Sequence, residues 1–115
     1  MRTYIVSLIS CFSAATSADH CASPAYPSAD LVRQGFQLSQ PLQIAEIEMQ
    51  SMAPGVAGSS SLVPFGASNK RWSELKHQLR DSDTIHKAAK SGFGEMYVVI
   101  RAGCVVDGFR TVVVN

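Results

Sequence analysis

Hydrophobic positions along the chain fall into runs of different period, and the strongest lie near its end. Residues 95–101 read EMYVVIR and residues 104–114 read CVVDGFRTVVV, two β-branched, aromatic-containing runs on either side of Ala102-Gly103. A two-residue, glycine-containing connection between such runs predicts a β-hairpin, and Gly108 marks a bulge in its second strand. Residues 70–79 carry Trp72, Leu75 and Leu79 at helical spacing, with Lys70, Glu74 and His77 on the opposite side. That pattern predicts an amphipathic helix with Asn69 as its N-cap. Residues 84–88, with Ile85 and His86, form a short strand candidate, and Ser91-Gly92-Phe93-Gly94 a turn.

Upstream the pattern is thinner. In residues 42–50, LQIAEIEMQ, the apolar Ala45, Ile47 and Met49 alternate with Glu46 and Glu48, while Leu42 and Ile44 hold the other phase. The alternation predicts a strand with a one-residue slip near Ile44; Glu, Gln, Met and Leu keep a helix as the rival. Residues 53–61, APGVAGSSS, predict a flexible loop, and Leu62, Val63 and Phe65 around Pro64 a short edge strand or docking segment. Residues 19–41, with Pro24, Pro27 and Pro41, read as an irregular lead-in holding one helical turn over 28–34 that Gly35 stops. The expected fold is α+β: a small antiparallel sheet packed by one main helix, with a C-terminal β-hairpin, all within a single domain over residues 42–115.

The C-terminal part resembles small exported bacterial proteins of unknown function, which share a Trp-x-x-Leu-Lys helix, an Asp-containing turn and a Gly-x-x-Tyr-Val-Val-x-Arg-x-Gly hairpin ending Thr-x-x-x-Asn. Those positions are Trp72, Leu75, Lys76, Asp83, Gly94, Tyr97, Val98, Val99, Arg101, Gly103, Thr111 and Asn115, with Ser82 standing where the pattern has Gly. The resemblance implies a helix packed on an antiparallel sheet and brings no activity with it.

The N-terminus changes the picture of where the protein works. Arg2, an apolar run over residues 4–15 and the small residues Thr16-Ser17-Ala18 before Asp19 read as a signal peptide over residues 1–18, implying a periplasmic or secreted protein. The run is too short to span a bilayer. Leu8-Ile9-Ser10-Cys11 also suits lipoprotein processing, which would anchor the chain through Cys11. Of the 115 residues 46% are hydrophobic and 17% charged, and the net charge is +1. Such a balance fits a globular chain and excludes a disordered tail or a basic nucleic-acid binder. Removing Cys11 with the leader leaves two cysteines, Cys21 and Cys104, as the disulfide candidates.

Candidate chemistry is sparse. No Gly-x-Ser-x-Gly elbow, His-Glu-x-x-His or phosphate loop occurs. His20 beside Cys21 points away from it in an extended segment. His77, Asp81 and Asp83 could share a metal but read better as a solvated helix end; no metal and no cofactor is expected. Glu46 and Glu48 would share one strand face as solvated acids, Trp72 anchors the core, and Arg101 and Arg110 sit on facing strands with Asp107 and Glu95 as cross-strand partners. The expected function is therefore that of an exported binding protein of the inhibitor or immunity type, with a protein partner. The alternatives are a small exported hydrolase using Cys21 or a serine, and a structural lipoprotein held by Cys11. The expected partner surface is Thr111, Val112, Val113 and Val114, which carry no proline or charge and could pair with a partner strand or a second copy.

Overall fold

Three long strands late in the chain and two very short ones near its start make one antiparallel sheet. The computed structural model describes residues 21–110. Its elements are β1 (Tyr26–Pro27), α1 (Ser28–Arg33), β2 (Gln37–Leu38), α2 (Ile44–Gln50), β3 (Met52–Pro54), β4 (Leu62–Pro64), a 3-10 turn (Gly66–Ser68), α3 (Asn69–His77), β5 (Thr84–Lys90), β6 (Gly94–Arg101) and β7 (Cys104–Phe109). The sheet runs β1-β7-β6-β5-β2, and β3 and β4 form a separate two-stranded ribbon. The α+β fold and its C-terminal hairpin are as the sequence predicts.

The hairpin of β6 and β7 turns at Ala102 and Gly103, both left-handed with φ +52° and +80°, as a two-residue turn matching the strand twist requires. The bulge is not at Gly108, which sits opposite Val98; the register shifts between Val99 and Ile100, leaving Val106 as the extra residue. A glycine in a strand marks a place where a side chain is dispensable, and here that place is an edge rather than a bulge.

Residues 42–50 are a correction. Leu42 alone bridges to Ile85, and the chain then turns into α2, in which Ile47 is the buried residue. The phase slip at Ile44 is the start of this helix, and the apparent alternation of Ala45, Ile47 and Met49 dissolves around its circumference. The lead-in is likewise more ordered than expected, because its described part supplies both sheet edges. β1 lies beside Cys104 and Val105, β2 beside Ala88 and Ala89, and α1 crosses the sheet face between them. Gly35, φ +100°, ends α1: its own N–H reaches the Val32 carbonyl and that of Phe36 reaches Leu31, both at 3.0 Å, the paired bonds of a glycine-terminated helix.

Alternation along the strands buries both faces of the sheet. Leu31 of α1 packs with Phe36, Ala88, Val98 and Val105 on one face. Ile47 of α2 and Trp72 and Leu75 of α3 pack with Ile85, Tyr97, Val99 and Phe109 on the other. Asn69 is the first residue of α3 rather than its cap, and its side-chain amide donates to the Pro64 carbonyl at 3.0 Å. The expected loop over 53–61 shortens to residues 55–61, between β3 and β4. Phe65, left-handed at φ +61°, turns the chain under this ribbon and sets its ring 5.0 Å from Trp72, 5.6 Å from Tyr97 and 4.7 Å from Phe109. Gly66 follows because a Cβ there would stand 2.8 Å from the Pro54 carbonyl oxygen.

Candidate functional site

The ribbon register decides which residues meet solvent. Met52 lies opposite Pro64 and Pro54 opposite Leu62, while the intervening pair Ala53 and Val63 points the other way. Period-two alternation thus puts four apolar side chains on the outer ribbon face. Among the described residues six large hydrophobics are exposed, and five of them, Ile44, Met49, Met52, Val56 and Leu62, lie in α2, the ribbon and its loop; Met49 is 74% exposed and Leu62 53%. An apolar run of this kind on a small domain is the exception on a protein surface. The inward side is anchored by Phe65, whose N–H donates to the Ser51 carbonyl at 2.8 Å.

Behind this face α2 is fixed to α3 by one carboxylate. Glu48 Oε2 accepts from Trp72 Nε1 at 2.8 Å and from Lys76 Nζ at 2.6 Å. These bonds, the lysine's first, hold the Glu48 carboxyl below its ordinary range. Glu46 and Glu48, read from sequence as a pair on one strand face, are separated by the helical turn, and Glu48 is engaged while Glu46 is exposed.

Among the described residues Asp83 is the most enclosed acid, its side chain 1% exposed. It accepts from Arg101 Nε and Nη2 at 2.8 and 2.7 Å and from the Arg80 N–H at 2.9 Å. The Arg101 guanidinium therefore holds the Asp83 carboxyl well below the usual carboxylate range. Because the folded value is depressed, the stabilisation is whole above about pH 4, the unfolded value, and is lost as pH falls through the folded one. Asp83→Asn is expected to melt below the wild type at neutral pH, with the gap closing as the buffer is acidified. A gap that stays constant down to the acid transition would refute this role.

Arg101 is thus committed to Asp83 and does not meet Arg110, which donates to the Phe93 carbonyl at 2.6 Å and stacks 3.9 Å over the Phe93 ring. Asp107 pairs with Arg71 and Glu95 with Lys87, so the cross-strand pairs expected from the hairpin do not form. His77, Asp81 and Asp83 do not converge, and among the described residues no three potential metal ligands gather.

One cluster escaped the sequence reading. Thr84 and His86, two apart on β5, share a face; the hydroxyl lies 2.9 Å from Nε2, and Nδ1 lies 2.9 Å from the Ser39 carbonyl. Ser39 Oγ in turn accepts from the Lys87 N–H at 2.8 Å and donates to the Gln40 carbonyl at 2.7 Å. The cluster stitches the chain after β2 to the edge of β5 with its polar atoms satisfied. A groove of about 320 Å³ between the end of α3 and the β6–β7 hairpin has Leu75, Leu79, Val99 and Val106 as its apolar lining and Arg80, Arg101 and Asp107 as its charged residues. Arg101 and Asp107 are spent on the ion pairs above.

Cys21 and Cys104 are joined, with their Cα atoms 5.7 Å apart, so Cys21 offers no thiol for the hydrolase alternative. Cys11 and the expected signal peptide lie outside the described residues. So do Thr111, Val112, Val113 and Val114, and pairing through them stays an expectation of the sequence. Among the described residues no helix is long and apolar enough to cross a membrane. Comparison with protein-family models, curated proteins and solved structures finds no match.

Proposed function

We propose that the protein is an exported binding protein of the inhibitor or immunity type, which uses the outer face of the β3–β4 ribbon and the adjoining end of α2 to cover an apolar surface of a partner protein. The observation that carries this reading is the concentration of exposed Met49, Met52, Val56 and Leu62 in one stretch of the chain. Methionine suits such a face, because its unbranched thioether adapts to an opposing surface. The face rather than the edge makes the contact: Pro54 and Pro64, at the two ends of the ribbon, have no N–H to offer a new strand. A protein fits better than an anionic lipid surface, since no Lys or Arg occurs between Arg33 and Lys70 while Glu46 and Glu48 do. The Cys21–Cys104 bond supports an oxidising compartment.

The test is chemical cross-linking in the cells that produce the protein, comparing wild type with Met52→Glu/Leu62→Glu. Both positions are exposed, so the variant keeps the wild-type melting temperature. A buried unpaired carboxylate in the contact weakens it roughly tenfold or more, and the wild-type adduct disappears. The same adduct at the same yield in both proteins, or no adduct with wild type, would remove this reading.

A further inference from the structure

Among the described residues, the outer edge of β7 is only partly covered. β1 pairs with Cys104 and Val105 and no further, and beyond the bulge the register places Gly108 opposite Val98, between the pairs Val99–Asp107 and Tyr97–Phe109. Alternation of an antiparallel ladder then decides the direction of each backbone group. The N–H and C=O of Gly108 point away from β6. The N–H donates to Asp107 Oδ1 at 2.8 Å, and the carbonyl accepts from Arg71 Nη2 at 2.8 Å. The same guanidinium nitrogen donates to Asp107 Oδ1, also at 2.8 Å. One arginine from α3 and one aspartate from β7 thus occupy both outward backbone groups of Gly108, at the centre of the edge a further strand would use.

We infer that Arg71 and Asp107 guard a latent strand-pairing edge, and that when the guard is removed this edge takes the same edge of a second copy of the chain. The inference does not rest on the ribbon-face reading. The occupant follows from self-complementarity: across a two-fold axis at Gly108, each copy's outward N–H faces the other's outward carbonyl, so both are satisfied without any other sequence being supplied. β7 carries its bulge at Val106, and on the stretch of edge beyond it charged side chains are the usual block. The guard is an exposed ion pair, with Arg71 44% and Asp107 22% accessible, so it contributes little to the stability of the monomer and its removal leaves the fold intact.

The experiment is sedimentation equilibrium on wild type and on Arg71→Ala/Asp107→Ala across a concentration series, with near-ultraviolet circular dichroism to confirm the fold. Wild type is expected to be monomeric and the double variant to shift to the dimer mass as concentration rises. Adding Gly108→Pro, which removes the outward N–H, returns the double variant to monomer, whereas adding Leu62→Glu leaves it dimeric. A folded double variant that stays monomeric overturns the inference, as does a dimer that survives Gly108→Pro or one that Leu62→Glu abolishes. Should the double variant fail to fold, Arg71→Met/Asp107→Val, which keeps side-chain bulk at both positions and removes both blocking groups, makes the same measurement, and a folded monomer there counts against the guard.

Discussion

With Cys21 and Cys104 both replaced by serine, the unfolding free energy falls by about 4 to 5 kcal/mol relative to the disulfide-bonded wild type. The bond closes a loop of 83 residues, which encloses nearly the whole described fold, and its effect in the chain-entropy account grows with the logarithm of that length. Its position adds to the effect. Cys104 begins β7 and pairs with Pro27, so the bond holds the chain just before β1 against the strand that β1 covers. Two hydrogen-bonded residues of edge strand hold poorly by themselves. For a domain whose total stability is of order 5 to 15 kcal/mol, the loss is a large share. Urea unfolding of the wild type with and without reductant, beside the double serine variant, reads it directly. Coincident midpoints for the three samples would show that the bond contributes nothing to stability.

Trp72→Ala is expected to cost about 3 to 5 kcal/mol, the range for removing a large buried aromatic ring. Trp72 is fully buried, and it meets Phe65 and Phe109 while its Nε1 donates to Glu48. Truncation therefore opens a cavity under three elements at once and takes one of the two donors from the carboxylate that ties α2 to α3. Trp72→Phe separates the two effects, since it keeps an aromatic ring and removes the N–H. Its loss should be the smaller of the two, in chemical denaturation followed by circular dichroism. An alanine variant within about 1 kcal/mol of wild type, a loss typical of an average substitution, would show that the ring is not the anchor described here.

The parts of the fold legible in the sequence are those whose cause is local. The β6–β7 hairpin announces itself in two β-branched runs around a glycine-containing pair, α3 in the spacing of Trp72, Leu75 and Leu79, and the end of α1 in Gly35. The disulfide was legible by counting. What was missed depends on partners far along the chain. β1 and β2 are two residues each and exist because residues 104–105 and 88–89 are beside them, which no local periodicity records. In α2 a short helix and a slipped strand share one pattern, and docking of Ile47 on the core decides between them. The bulge falls at Val106, whose side chain carries no mark of it, and not at the glycine that drew notice. In the sequence the ribbon face reads as loop and edge because Pro54, Gly55 and the serines dominate its composition. Only the register of β3 on β4 reveals that Met52 and Leu62 stand on one side. The Arg71–Asp107 clamp joins residues on different elements, and the sequence paired Asp107 with the wrong arginine.

The absence of Lys and Arg between Arg33 and Lys70 has a consequence for how this protein meets proteolysis. A loop such as residues 55–61, at the surface and rich in glycine and serine, is the kind of segment that proteases nick first. Enzymes that cleave after a basic side chain find no site anywhere from Gln34 to Asn69. The whole of α2, the ribbon and Phe65 therefore leaves a tryptic digest as one uninterrupted peptide, and any reagent that has modified Met49, Met52 or Leu62 is carried on that single fragment.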